Sequence, residues 1–362
     1  MLAAGPLLLA TTVPRVSDAV DADCEHDTAA AEKIPERVPW EELPLHEDER
    51  QVQLDVDRSF IYYPTNMSPR QLDDRKKELS DLIVEVLRRH PMLGYFQGFH
   101  DICQVILLVM GPKAAVSAVE HIALLKIRDF MLPSMTPAIN HLRLLYPLLN
   151  DEDPKLCAHL SRTQPFFALA ATLTLYAHDI QEYSNIARLF DVFLALDPVF
   201  PLYLFTQIVM ERKEELFEIP DDEPEMLHSI LSKLPKPLDL EGWISRAILL
   251  VEKRPPEKLS TWRWVSKYSV LKTSRTTSPT LTLEAAEKIF SYQCQELKSA
   301  ELRKQRLVAL AKHKTPILVG LSVLIGVSSI ALGMYARNHG GVGSLPGMTV
   351  VWRIFVAIRR LM

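Results

Sequence analysis

Two short patterns in this 362-residue chain bring together side chains that could do chemistry. In VQLDVDRSF, Val52 to Phe60, helical spacing places Val52, Asp55 and Arg58 along one side. Val52 can then anchor the segment while the Asp55 carboxylate lies within reach of the Arg58 guanidinium, which is oriented rather than free. An isolated D-x-x-R is also what an ordinary surface ion pair looks like, and such pairs contribute little. In LGYFQGFHDI, Leu93 to Ile102, the residues Tyr95, Gln97 and Gly98 form Y-x-Q-G between two helical segments, with Asp101 three residues beyond the glycine. That stretch is either a packing corner or a loop that delivers a reactive side chain, and spacing alone leaves both readings open.

Other chemistries find no foothold. The chain contains no G-x-x-x-x-G-K-[ST], no G-x-G-x-x-G, no H-E-x-x-H and no G-x-S-x-G. The four cysteines, Cys24, Cys103, Cys157 and Cys294, stand far apart without metal-ligand spacing, and read as reduced thiols. The eleven histidines are scattered. A formal charge of −4 gives no electrostatic case for nucleic acid. The sequence therefore predicts no cofactor, nucleotide or metal site of its own.

The elements that must position these residues read as helices. From Glu41 to about Lys253, apolar residues recur at helical spacing with almost no alternating runs, which predicts an all-α fold. Ser68 to His90 is the clearest case: Ser68 can cap, Pro69 suits the first turn, and Leu72, Leu79, Leu82, Ile83 and Val86 share one face. Further helical patterns lie at 101–110, 114–130, 140–149, 165–178 and 184–196. The run DVFLALDPVFPLYLFTQIVM, Asp191 to Met210, is apolar enough to mimic a membrane span, but Asp197, Pro198 and Pro201 predict two core helices joined by a tight turn. No internal repeat is visible.

Outside that region the composition changes. Residues 1–40 form an acidic, irregular amino-terminal segment. Pro255 and Pro256 break the helical pattern, Thr273 to Thr282 is rich in serine and threonine, and a charged helix resumes from Glu284 to Leu310. Residues 254–315 thus read as linker and charged helix. Pro316 to Ala336 then runs 21 residues without a charge, long enough to cross a hydrocarbon layer of about 30 Å at roughly 1.5 Å per residue. Arg303, Lys304, Arg306, Lys312 and Lys314 precede it and Arg337 follows, which predicts a cytosolic amino-terminal part and tail anchoring. Residues 337–362 read as a short basic amphipathic tail.

Taken together, V-x-x-D-x-x-R at Val52 to Arg58 and Y-x-Q-G at Tyr95 to Gly98 resemble the paired motifs of the TBC family of Rab GTPase-activating proteins. LRRHPMLGYFQGFHDI, IRDFMLPSM at Ile127 to Met135 and ARLFDVFLALDP at Ala187 to Pro198 extend the likeness over roughly 41–253. The family's R-x-x-V-W element is represented by ERVPWEEL, Glu36 to Leu43, with Pro39 inserted between valine and tryptophan. Combined with the carboxy-terminal span, the likeness points to the family's membrane-anchored branch, which acts on the Rab of endoplasmic-reticulum-to-Golgi transport.

The resemblance implies a GTPase-activating protein, not a self-contained enzyme, whose partner is a GTP-loaded Rab on endoplasmic reticulum or Golgi membranes. Arg58 and Gln97 would be catalytic fingers lent in trans, and GTP and magnesium would be held by the Rab. Asp55, Tyr95, Gly98 and Asp101 would support them: Tyr95 by bonding beneath the loop, Gly98 by allowing close approach, and Asp101 by capping the following helix. The alternative is a membrane-tethered scaffold that binds a Rab without accelerating hydrolysis.

Overall fold

The computed structural model describes residues 37–276 and 281–309. The chain divides into two units, 1–43 and 44–362. In the first, the described residues make a single 3-10 turn, Trp40–Glu42, entered from Pro39. The second holds α1 (Glu49–Val56), α2 (Pro69–Arg89), α3 (Phe99–Leu125), α4 (Thr136–Leu142), α5 (Leu145–Glu152), α6 (Pro154–His159) and α7 (Leu169–Leu173). It continues with α8 (Tyr183–Ala195), α9 (Phe200–Glu211), α10 (Lys213–Phe217), α11 (Pro224–Leu231), α12 (Leu240–Lys253), α13 (Val270–Thr276) and a helix at 283–309, here α14. Among the described residues there is no strand, so the all-α expectation holds.

Local chemistry explains the best-defined helix. Ser68 and Gln71 close a capping box around the first turn of α2, with Pro69 at its first helical position and Arg88 and Arg89 in the last turn. Leu79, Leu82, Ile83 and Val86 are all buried on one face, each burial contributing about 1.5–3 kcal/mol. That face packs along α3.

Helix α3 is the core element under the site. It joins two predicted helices across a break at Gly111, whose φ of 72° admits the following Pro112. Among the described residues it is the one helix long and apolar enough to cross a membrane, by length and composition only. Here Ile102, Cys103, Val105, Ile106 and Leu107 are buried in the protein core. The Asp191–Met210 run resolves into α8, a turn through Asp197 and Pro198, and a buried α9 that packs along α12.

Three predicted helices depart from expectation. The predicted helix at 165–178 is a 3-10 turn, Pro165–Ala168, followed by the five residues of α7. The chain then turns left-handed at Leu175 and Tyr176, because the Tyr176 hydroxyl is drawn inward to donate to the Pro201 carbonyl at 2.8 Å. The predicted helix at 140–149 is interrupted at Arg143 and Leu144, between α4 and α5. The predicted helix at 114–130 ends at Leu125, and Arg128–Phe130 form a 3-10 turn that points Arg128 and Asp129 into the interior.

That last turn also receives part of the stretch 254–315, read from sequence as linker and charged helix. Asp129, fully buried, accepts from the Val270 amide at 3.1 Å and Gln293 Nε2 at 3.0 Å, contacts His141 Nε2 at 2.8 Å, and binds the Ser269 hydroxyl. Arg128 donates to the carbonyls of Leu124 at 3.0 Å and Tyr268 at 2.7 Å, and to the Thr273 hydroxyl. With Val270 and Leu271 buried, as are Ala286 and Phe290 of α14, the described part of this stretch packs into the helical body. Ser269 bonds to the buried Asp129 and Thr273 to the buried Arg128, a use that composition cannot distinguish from solvation. The predicted span at 316–336, the tail at 337–362 and most of segment 1–40 lie outside the described residues.

Candidate functional site

Helix α1 sets the first half of the site. Val52 and Asp55 are fully buried on its inner side, and the helix ends at Val56. The chain leaves through a turn in which the Arg58 amide donates to the Asp55 carbonyl at 3.1 Å. Arg58 therefore stands just past the helix but keeps the predicted spacing. Its guanidinium donates to Asp55 Oδ1 at 2.6 Å while its side chain remains 64% exposed. Gln51 Nε2, at 3.2 Å, and the Tyr95 hydroxyl, at 2.8 Å, also donate to that carboxylate. A buried acceptor with three donors holds a direction that a solvated ion pair does not.

Beyond Arg58 the backbone turns sharply. Phe60 adopts φ 61°, with its amide donating to the Gln104 side-chain oxygen at 2.9 Å. Phe60 and Tyr63 are buried, and the two residues between them project outward: Ile61 is 73% exposed and Tyr62 is exposed as well. Positive φ in a bulky residue costs of order 1–3 kcal/mol and persists where the surroundings impose it.

The second half of the site is the loop into α3. The Gly94 amide donates to the Met131 carbonyl at 2.9 Å, and the Tyr95 amide to Asp48 Oδ2 at 2.9 Å. Phe96 is buried against Phe99 and Phe130, while Gln97 is exposed. Gly98 has φ 104°, and a Cβ there would lie 2.6 Å from Thr174 Cγ2. The corner thus needs glycine twice over, for its backbone and for the space it leaves. Within LGYFQGFHDI, Phe96 packs inward and Gln97 is exposed.

Asp101 does not cap α3 as predicted. The cap is Gly98, which has no side chain to offer, and Asp101 stands within the first turn. Its oxygens lie 3.3 Å from His100 Nε2 and 3.2 Å from His178 Nδ1. Hydrogen bonding to Asp101 raises the pKa of His178. Burial pushes the His100 imidazole below the ordinary histidine range, against the pull of Asp101 and Asp55. Burial and the Asp55 bond push the Tyr95 hydroxyl well above its usual value, so it is a fixed donor at any working pH.

Arg58, Gln97, Gly98 and Asp101 line one open groove of about 670 Å³. Ile61, Tyr62, Phe166, Thr174 and His178 line it as well. Asp55 and Tyr95 do not line it but reach it through Arg58. The sequence brought Asp55, Arg58, Tyr95, Gln97, Gly98 and Asp101 to notice; Ile61, Tyr62, His100, Gln104, Phe166, Thr174 and His178 it did not. His100 and Gln104 sit within or just after LGYFQGFHDI and share a face of α3. Thr174 and His178 arrive from more than 70 residues away, and only folding places them. Among the described residues no group of His, Cys, Asp and Glu is arranged to hold a metal ion.

A family model for the Rab-GTPase-TBC domain matches residues 16–217, more than half the chain. The chain belongs to the Rab-GTPase-TBC domain family. It is 29% identical over 296 residues to GTPase-activating protein gyp10 of Schizosaccharomyces pombe, covering 80% of this chain and 79% of that protein. It is 35% identical over 218 residues to TBC1 domain family member 20 of Homo sapiens, covering 60% of this chain and 54% of that one. With GTPase-activating protein GYP8 of Saccharomyces cerevisiae the identity is 24% over 235 residues, 56% of this chain and 47% of that one. The chain thus spans about half the length of the last two relatives. The R-x-F-D segment of this TBC chain, Arg188 to Asp191, lies in α8, where Arg188 pairs with Glu241 at 2.8 Å and Phe190 is buried. That segment serves the helical body rather than the groove.

Proposed function

We propose that this TBC protein accelerates GTP hydrolysis on a Rab-family GTPase by lending it Arg58 and Gln97. Hydrolysis on such GTPases is slow because charge shifting toward the leaving β-phosphate oxygens is poorly stabilised and the attacking water is poorly held. A guanidinium offers a planar fork of donors to those oxygens, which lysine cannot match. The Gln97 carboxamide has both a donor and an acceptor, the pair needed to hold a water for in-line attack. GTP and magnesium would stay with the Rab. The observation that carries the reading is that Arg58 and Gln97 line the same open groove, with Arg58 exposed yet aimed by the buried Asp55. The exposed Ile61, Tyr62 and Phe166 would then meet the GTPase surface around its nucleotide.

The charge-free 316–336 span would tether the protein to endoplasmic reticulum or Golgi membranes, with the groove in the cytosol. Truncation after Thr315 should release the protein from alkaline-washed membranes, and retention would remove the anchor from this reading.

The test is phosphate release from a panel of GTP-loaded Rabs with the full chain in detergent. Stimulation of at least one Rab, lost in Arg58→Ala and strongly reduced in Gln97→Ala, is the expected result. Tight binding to a GTP-loaded Rab with unchanged phosphate release would replace the activator by a membrane-tethered scaffold.

A further inference from the structure

Behind Arg58 runs a line of polar contacts longer than an arginine anchor requires. Arg58 donates to Asp55 Oδ1 at 2.6 Å, and the Tyr95 hydroxyl donates to Asp55 Oδ2 at 2.8 Å. That hydroxyl lies 3.2 Å from His100 Nδ1, while His100 Nε2 lies 3.3 Å from Asp101 Oδ1. Asp101 Oδ2 then meets His178 Nδ1 at 3.2 Å, on the exposed wall of the groove. Four parts of the chain are joined by it: α1, the Tyr95 loop, the first turn of α3 and the turn after α7.

Proton accounting singles out one member. Tyr95 has one proton, and giving it to Asp55 leaves the phenolic oxygen as an acceptor facing His100 Nδ1. Asp101, as a carboxylate, is an acceptor facing His100 Nε2. Both ring nitrogens therefore face acceptors, and only the imidazolium supplies a proton to each. A neutral ring protonated on Nδ1 sets the Nε2 lone pair against Asp101. A neutral ring protonated on Nε2 turns the Nδ1 lone pair toward Tyr95, where it competes with Asp55 for the hydroxyl proton.

We propose that His100 is a positioning residue for the arginine finger: a proton on its Nδ1 keeps the Tyr95 proton on Asp55, and so fixes the carboxylate that aims Arg58. His100 would touch neither nucleotide nor water, acting only through Tyr95 and Asp55. The inference rests on the reading of Arg58 as a finger.

The groups facing the ring give the direction of its pH response. Asp101 and Asp55, the latter 3.8 Å from Nδ1, favour the charged form; burial, His178 and Arg58 oppose it. Burial is the largest effect, so the imidazolium is a minority species at neutral pH and grows on acidification. The finger should be held best when the ring is charged.

The experiment uses the full chain in detergent, the most responsive Rab, and phosphate release between about pH 5.5 and 7.5, divided at each pH by the intrinsic rate of the Rab. Wild-type kcat should rise as pH falls, with KM nearly constant. His100→Phe, which offers no donor, should flatten the profile and lower kcat by about tenfold at the acid end, where the wild-type ring is most charged, the effect of losing one buried hydrogen bond. His100→Asn, whose amide can donate to Tyr95 without titrating, should recover kcat to within about threefold of wild type and remain flat. A wild-type pH profile in His100→Phe, or a loss in KM rather than kcat, would overturn the proposal.

A readout without any Rab separates this failure from that of the finger reading. In protein labelled with ¹⁵N-arginine, the Arg58 Nε–H signal, assigned by its loss in Arg58→Lys, should sharpen as pH falls in wild type and not in His100→Phe. Identical pH behaviour in the two proteins would sink the role of His100 even if Arg58→Ala abolishes stimulation. A wild type that stimulates no Rab, with the signal behaving as stated, would instead sink the finger and leave the coupling standing.

Discussion

Asp55 and Asp129 are both fully buried and both surrounded by donors, yet they differ in where their arginine goes. Asp55 holds Arg58, whose side chain is 64% exposed and lines an open groove. Asp129 is adjacent in sequence to Arg128, which is itself fully buried and directs its donors to the Leu124 and Tyr268 carbonyls. Burial pushes the Asp129 carboxyl up, but bonds from His141 and Ser269 and the Arg128 charge outweigh it and leave its pKa lowered. The same residue types therefore make an aimed, outward cation in one place and a closed staple for the carboxy-terminal segment in the other.

Substitutions at the two sites should separate activity from stability. Arg58→Ala should abolish about 10³- to 10⁵-fold of Rab stimulation, on the order of 4–7 kcal/mol, with an unchanged thermal midpoint. Asp129→Ala should do the reverse, destabilising by about 3–5 kcal/mol in urea titrations, because His141, Ser269 and Gln293 lose a buried acceptor and Arg128 a neighbouring charge. Hydrogen exchange should then rise in α13 and α14 before it rises in α1. Equal stability loss in the two variants would erase the distinction.

Gly98→Ala falls between the sites. The φ of 104° and the 2.6 Å approach to Thr174 predict a loss of about 1–3 kcal/mol of stability, together with a drop in kcat as Gln97 is displaced. Activity unchanged in a folded Gly98→Ala protein would mean that Gln97 does not depend on this corner.

Acidity sharpens the same contrast. The folded pKa of Asp129 is lowered, so its contribution is present above the unfolded value of 3.8 and is lost as pH falls through the lower folded value. His90, at the end of α2, has the opposite sign. Burial lowers its pKa, but the Glu120 and Glu287 carboxylates, at 3.4 Å and 2.7 Å, raise it overall. Its contribution to docking α14 is therefore complete below the unfolded value of 6.5 and is lost as pH rises through the higher folded value. Urea midpoints across pH, with Glu287→Gln reducing the alkaline loss that Glu120 also supports and Asp129→Ala removing the acid one, measure both.

The smallest expected effect is at the rim. Ile61→Ser and Tyr62→Ser each remove exposed apolar surface near Arg58, and should raise KM for the Rab a few-fold, about 1 kcal/mol, with kcat and stability intact. Loss of kcat instead would show that the Phe60 turn positions the finger.

Much of the helical body was legible in the chain. The Ser68–Gln71 box with Pro69, the apolar face of α2 and the proline-broken run at Asp191–Met210 act within a few residues, where periodicity and capping report directly on structure. The elements misread are those ruled by distant partners. Tyr176 bends the end of a predicted helix because its hydroxyl seeks the Pro201 carbonyl, and 254–276 packs because Asp129 and Arg128 await its amides and hydroxyls.

The site divides in the same way. Residue types and spacing alone determined that Asp55 could hold Arg58 and that Gln97 and Gly98 would share a corner, since those relations span one turn of chain. Only the tertiary structure decided that Arg58 and Gln97 would line one groove, that Tyr95 would reach Asp55, and that His178 would close a line of contacts through Asp101 and His100. Hydrogen bonds and burial act through space, and a contact between residues 101 and 178 has no period that a sequence could display.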